Sequence, residues 1–189
     1  MDNVQLKSSR AALVLIDLQQ GIVARKGEPY STGEVVVRCA ALSKMFRAAK
    51  ALVVYVNVDL INFRQLIVDV PGRDPNAPLP PQSANELVPD AGWQPGDLAV
   101  TKRHWSAFLG TDLERQLREH QIDTIVIGGV STNIGVESTA RDAAGLGFNV
   151  VFAEDAMTAL AADQHDYAIR TIFPRIGRVR HAAQISLVD

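Results

Sequence analysis

The stretch Ala11-Ala12-Leu13-Val14-Leu15-Ile16-Asp17 decides the fold. Six apolar residues run without a polar break and stop at an acid. A strand with one wet face alternates apolar and polar residues, whereas an unbroken run fits a strand covered on both faces, as in a parallel sheet. Leu52 to Val58 (LVVYVNV) reads the same way. Leu98 to Thr101, Thr124 to Ile127 (TIVI) and Asn149 to Ala153 (NVVFA) are shorter candidates, and Ile176 to Arg180 is a sixth.

Helical patterns fill the gaps. Ser31-x-x-Glu34 is a capping-box pattern, in which the hydroxyl and the carboxylate satisfy free N–H groups of the first turn. It opens a helix with Val35, Cys39, Leu42 and Phe46 at helical spacing. Thr111-x-x-Glu114 predicts a second box, with Leu113 and Leu117 inward. Further helices are predicted from about Ile134 to Leu146, with Gly147 as the stop, and from about Asp163 to Phe173, broken by Pro174. Strands spaced by helices imply βαβ units. The expected fold is α/β: a doubly wound, Rossmann-like three-layer sandwich with a mostly parallel sheet of about six strands. The 189 residues suit a single domain, 1–189.

One segment departs from the pattern. Seven of the nine prolines, Pro71, Pro75, Pro78, Pro80, Pro81, Pro89 and Pro95, fall between Asp59 and Asp97. Proline lacks the N–H that helices and central strands need. Residues 59–97 are therefore expected to be an ordered excursion over one end of the sheet, acting as a lid or as a contact with another subunit.

Bulk composition excludes several classes. The net charge of −2 gives no pull toward nucleic acid or anionic lipid. One cysteine, Cys39, rules out an intrachain disulfide and points to a reducing compartment. No apolar stretch approaches the roughly 20 residues needed to span a bilayer, and the N-terminus has no signal-peptide pattern. A cytoplasmic protein, with no membrane and no nucleic-acid partner, is the expectation.

In parallel α/β sheets ligands bind beyond the carboxyl ends of the strands. Asp17 and Lys102 stand at two such ends, and the turn Gly129 to Gly135 follows a third. An ammonium lowers the pKa of a nearby carboxylate while burial raises it, so such a pair can move a proton or hold a charged substrate. Either residue alone reads equally well as a turn acid or a solvated lysine. Ser131, Thr132 and Asn133 are N-cap residue types, and a helix N-terminus offers free N–H groups to an anion or developing oxyanion. Gly135 in the first turn costs about 1 kcal/mol against alanine. That cost is tolerated where something must approach the backbone, or where helix packs tightly on sheet. Gln19, Arg64, Arg103, His104 and Trp105 are weaker candidates for lining a pocket. The four histidines, His104, His120, His165 and His181, show no ligand spacing, so no metal and no cofactor are expected.

Three segments carry a resemblance. Leu13 to Gln19 (LVLIDLQ), Thr101 to Phe108 (TKRHWSAF) and Gly129 to Ala143 (GVSTNIGVESTARDA), in that order and at those separations, resemble the signature blocks of the isochorismatase-like hydrolases. The likeness runs over nearly the whole chain, including Glu154-Asp155-Ala156. It implies that Asp17 and Lys102 are the first two members of an Asp–Lys–Cys triad, with Gly135 at the cysteine's place. Without a thiol there is no side-chain nucleophile for a covalent acyl intermediate. Isochorismatases of the family share that glycine and cleave a vinyl ether by proton delivery and water attack. The resemblance also implies substrate contacts from Val130, Ser131 and Ile134, a cis peptide at Val130–Ser131, and a homo-oligomer, dimer or tetramer. Nicotinamidases of the family hold a metal through an Asp-x-His motif after the second strand, where this chain reads Asn57-Val58-Asp59 with no histidine.

The expected function is thus hydrolysis of a small carboxylate-bearing molecule, with vinyl-ether cleavage the specific case. The alternatives are a non-catalytic small-molecule-binding homologue and an amidase using activated water.

Overall fold

The computed structural model describes residues 2–64, 66–74 and 76–189. In chain order the strands are β1 (Val4–Lys7), β2 (Ala11–Ile16), β3 (Leu52–Val58), β4 (Leu98–Lys102), β5 (Thr124–Val130), β6 (Asn149–Thr158), β7 (Arg178–Arg180) and β8 (Ile185–Val188). The helices are α1 (Gln20–Val23), α2 (Thr32–Ala48), α3 (Leu113–Glu119), α4 (Glu137–Gly145), α5 (Ala162–Tyr167) and α6 (Phe173–Ile176).

Six strands form one parallel sheet in the order β4-β3-β2-β5-β6-β7. The chain winds outward from β2 to β4, returns to the middle at β5 and winds out the other way. The doubly wound expectation holds, and the order reverses between β2 and β5. Every residue of β2 is buried. Ala12, Val14 and Ile16 pack with α3, α4 and α6 through Leu113, Leu117, Ala140 and Phe173. Ala11, Leu13 and Leu15 pack on the opposite face with α2 through Val35, Cys39 and Phe46. Those are the three layers, and they explain why the strand reads as an unbroken apolar run.

Several local expectations need correction. Ser31 and Glu34 do form the capping box of α2. At α3 the N-cap is Asp112, with no side-chain cap bond; the Thr111 hydroxyl donates instead to the Ala107 carbonyl. Pro174 does not end a helix. α5, a π-type stretch Ala168–Ile172 and α6 follow one another without a break, so the helical run passes Pro174 and stops at Ile176. The helix after β5 begins with a wide π-type turn, Thr132–Val136. β6 runs on to Thr158, past Glu154 and Asp155. β1 and β8 form a separate two-stranded parallel sheet, pairing Val4 with Ile185.

The excursion 59–97 has little regular structure beyond two short 3-10 turns, Gln82–Asn85 and Pro89–Ala91. It includes Gln65 and Pro75, which lie outside the described residues. Its second half is strapped to the sheet end. The Gln20 N–H donates to the Glu86 carbonyl at 2.9 Å and the Val88 N–H to Leu18 at 3.0 Å. The Tyr55 hydroxyl donates to Ala91 at 2.7 Å.

Candidate active site

Asp17 leaves β2 with φ +54°, in the left-handed region that short polar side chains tolerate best among non-glycine residues. Its own N–H still bonds the Val56 carbonyl at 2.8 Å, so the strand is anchored while the carboxylate swings over the sheet end. Lys102 is the last residue of β4, level with Val58 of β3. β3 stands between β2 and β4, so the two residues are separated by two inter-strand spacings of roughly 4.8 Å each. The lysine chain bridges that gap, and Nζ meets Asp17 Oδ2 at 2.8 Å.

Both side chains are buried, Lys102 at 2% exposure and Asp17 at 7%. Burial pushes the Asp17 carboxyl up to about 6, and the charge and hydrogen bond of Lys102 restrain the rise. The second carboxylate oxygen, Oδ1, is buried without a hydrogen-bond partner among the described residues. A buried acceptor left unpaired is costly, and such groups concentrate where a ligand or a proton is meant to go.

β5 comes close enough to β2 that only glycine fits. At Gly129, φ is +120° and a Cβ would stand 2.1 Å from the Ile16 carbonyl oxygen. Beyond it the Val130–Ser131 peptide is cis, as the resemblance implies. The turn then carries Gly135 to the ion pair. A Cβ there would lie 3.3 Å from Asp17 Oδ2, 3.4 Å from Lys102 Nζ and 3.1 Å from the Ile16 Cγ2 methyl. The Gly135 carbonyl accepts from the Thr139 hydroxyl at 2.7 Å, and Thr139 in turn accepts from the Ala107 N–H at 3.0 Å. Asp17, Lys102 and Gly135 therefore converge, with β2 and β5 as true neighbours and β4 contributing by reach.

The other sequence candidates separate. Val130 is buried, while Ser131 and Ile134 are partly exposed on the same turn. Gln19 is fully buried, but its amide is consumed by backbone: Nε2 donates to Val58 and Ala84 carbonyls at 2.9 and 3.0 Å, and Oε1 accepts from the Val58 N–H at 2.7 Å. That side chain fastens the excursion to β3. Arg64 and Trp105 are exposed, and neither has a described side-chain contact with the pair. Arg103 pairs with Asp59 at 3.4 Å. Burial pushes the Asp59 carboxyl up, but hydrogen bonds from Asn62, Arg103 and the Ile61 N–H outweigh it and hold it below the usual range. Asp59 thus pins the first turn of the excursion.

Sequence reasoning missed Thr139 and a second polar cluster at the end of β6. There the Tyr30 hydroxyl donates to Glu154 at 3.1 Å, His165 Nε2 lies 3.4 Å from Glu154, and His165 Nδ1 lies 2.9 Å from the Thr132 hydroxyl. His181 Nδ1 is 3.2 Å from Glu154 and 3.8 Å from Asp155. Two histidines that looked scattered are thus brought to one place. Glu154, Asp155 and His181 have the proximity of a metal-ligand set, but hydrogen bonds already engage both carboxylates. Two surface hollows of about 400 and about 520 Å³ lie at the opposite end of the sheet, beside the first residues of β3 and of β6. They hold none of the converging groups, so the chemistry and not the hollows marks the site.

The family model described as the isochorismatase domain matches residues 11–184. The chain belongs to the isochorismatase family. It is 44% identical to the isochorismatase family protein YecD of Escherichia coli O157:H7, over 96% of this chain and 97% of that one. It is 42% identical to YwoC of Bacillus subtilis, over 95% and 94%. A solved isochorismatase family structure from Burkholderia thailandensis superposes with a TM-score of 0.90 at 40% identity, covering 97% of each chain. As a member of the isochorismatase family the protein is a hydrolase of small molecules. No helix among the described residues is long and apolar enough to cross a membrane.

Proposed function

We propose that this hydrolase cleaves the vinyl ether of a small carboxylate-bearing substrate such as isochorismate, without a covalent intermediate. The observation that carries the reading is the unpartnered Asp17 Oδ1 in a buried Asp–Lys pair, with Gly135, which offers no side-chain nucleophile, beside it. A carboxyl raised to about 6 is a serviceable acid near neutral pH. Protonated Asp17 gives its proton to the terminal enol-ether carbon, leaving an oxocarbenium ion stabilised by the ether oxygen. Water adds to that cation and loses a proton to the Asp17 carboxylate. The hemiketal then collapses: its carbon–oxygen bond breaks toward the ring oxygen, which takes the proton held by Asp17, the hemiketal hydroxyl returns a proton to Asp17, and pyruvate and a ring alcohol leave. Lys102 holds Oδ2 and supplies positive charge for a substrate carboxylate. The turn from Val130 to Gly135 supplies backbone N–H groups.

The test is pyruvate release from isochorismate, by wild type and by Asp17→Asn. Turnover lost in the variant supports the assignment; equal turnover sinks it. Ammonia from an amide panel, with no pyruvate from isochorismate, would replace vinyl-ether cleavage with water-activated amide hydrolysis.

The same proposal includes assembly as a dimer or tetramer in the cytoplasm. Support for assembly comes from the excursion, where Leu66, Ile67, Val68 and Val70 are all more than half exposed. Four aliphatics so close together on a surface mark a contact more readily than a solvated loop.

A further inference from the structure

The Thr132–His165–Glu154 chain lies outside the Asp–Lys pair, yet it ends on the turn that carries Gly135. Thr132 is fully buried and His165 is 1% exposed. Burial pushes the Glu154 carboxyl up, but bonds from His165 and Tyr30 and the charge of His181 outweigh it and hold it below the usual range. Glu154 is then an acceptor only, so His165 Nε2–H points at it and Nδ1 is left to accept from the Thr132 hydroxyl. The carboxylate thus fixes the tautomer, and the tautomer fixes the hydroxyl. Glu154 is itself held by the Tyr30 hydroxyl, and the Arg38 guanidinium lies over the Tyr30 ring at 4.5 Å.

Thr132 opens the turn whose fourth residue is Gly135, and its carbonyl accepts from the Glu137 N–H. Thr139 holds the other side of that turn through the Gly135 carbonyl. Release of the Thr132 clamp frees one end of a turn that runs so near Asp17 and Lys102 that a Cβ at Gly135 would touch both.

We propose that His165 is a positioning residue, oriented by Glu154, that clamps the Thr132 hydroxyl and so seats the Gly135 turn against the Asp17–Lys102 pair. This rests on that pair being the working site. It extends the site to residues from α5 and β6 that never touch the substrate.

The experiment reads the site without requiring a substrate. The Asp17 carboxyl is titrated by carbon-13 NMR in wild type, Thr132→Val, Thr132→Ser and Glu154→Gln. If the clamp seats the turn, Thr132→Val lets water reach the pair. The Asp17 midpoint then falls from about 6 toward its ordinary value of 3.8, because burial is what raises it. Thr132→Ser keeps the hydroxyl and the wild-type midpoint. Glu154→Gln, at the half-buried far end of the chain, moves the midpoint the same way by less. With isochorismate turned over, Thr132→Val lowers kcat more than it raises KM. An unmoved midpoint in folded Thr132→Val overturns the proposal. If Thr132→Val does not fold, an unmoved midpoint in Glu154→Gln overturns it. Failure of wild type to release pyruvate would count against the proposed reaction and leave the titration to decide this inference.

Discussion

Lys102 Nζ reaches over the end of β3 to meet Asp17 Oδ2 at 2.8 Å, joining two strands that are not neighbours. The intervening strand takes no part in the pair. Its end, from Val56 to Val58, instead holds Asp17 and Gln19 in place through backbone bonds. Pairing, burial and an unpartnered oxygen meet in one carboxyl, and the predictions turn on it.

Protonated Asp17 is the acid of the proposed reaction, and its carboxyl stands at about 6 in the free protein. We expect kcat/KM to be flat below that pH and to fall about tenfold per pH unit well above it. A profile that rises through pH 6 would mean that Asp17 works as a base. Asp17→Asn should lower pyruvate release by about 100-fold or more, the usual scale of a positioned proton donor.

Stability carries the same signature with a definite sign. An ordinary carboxyl, as in the unfolded chain, ionises near 3.8, while folded Asp17 holds its proton to about 6. Between those values the native state binds more protons, so this group's contribution to stability falls as pH rises. Urea midpoints of wild type and Asp17→Asn, compared from pH 3.5 to pH 7, should show wild type losing ground across that window. Parallel curves would contradict the raised value.

Lys102→Met removes the counter-charge from a buried carboxylate. Breaking a buried pair at one partner costs about 3–5 kcal/mol, and the loss should be largest above pH 7, where Asp17 is otherwise charged. The Asp17 midpoint should rise further, since Lys102 is what restrains it. The double variant with Asp17→Asn should recover part of the stability; no recovery would mean the two groups are not coupled.

At Gly135 two effects oppose. Gly135→Ala gains about 1 kcal/mol of helix propensity. The new methyl would press on Ile16 Cγ2 at 3.1 Å, and overpacking of that kind costs about 1–3 kcal/mol. We expect crowding to win in thermal denaturation and turnover to fall, because the methyl also stands 3.3 Å from Asp17 Oδ2.

Thiol reagents should leave the enzyme untouched. Cys39 is buried in α2, its sulfur donates to the Ala156 carbonyl at 3.3 Å, and burial pushes the thiol far above neutrality. Cys39→Ala should keep kcat/KM at a stability cost of about 1 kcal/mol. Inactivation of wild type by iodoacetamide would reopen a cysteine mechanism.

The sheet was legible because β2, β3 and β5 are covered on both faces, and covered strands leave apolar runs. β1 and β8 left no such trace. They are four residues each and pair across nearly the whole chain, which no local pattern encodes. The end of β6 was misread because Glu154 and Asp155 look like a loop, while their polarity serves a partly buried cluster with Tyr30, His165 and His181. The convergence of Asp17, Lys102 and Gly135 was legible through motif order. Thr132 and His165 were not, because they are 33 residues apart and meet only once the helices pack. The backbone bonds of Gln19 were not legible either, since nothing in a sequence tells a glutamine that greets a ligand from one that ties down backbone.

A reaction centre sealed this tightly changes what limits the enzyme. Asp17 and Lys102 are both buried, so in the proposed reaction a substrate would meet them only in molecules that have momentarily opened. The apparent affinity is then the intrinsic one diluted by the open fraction. Substitutions that change how often the site opens would then set the pace without touching any proton transfer. In the proposed reaction the same closure would keep stray water from a short-lived cation until the one water that matters is in place.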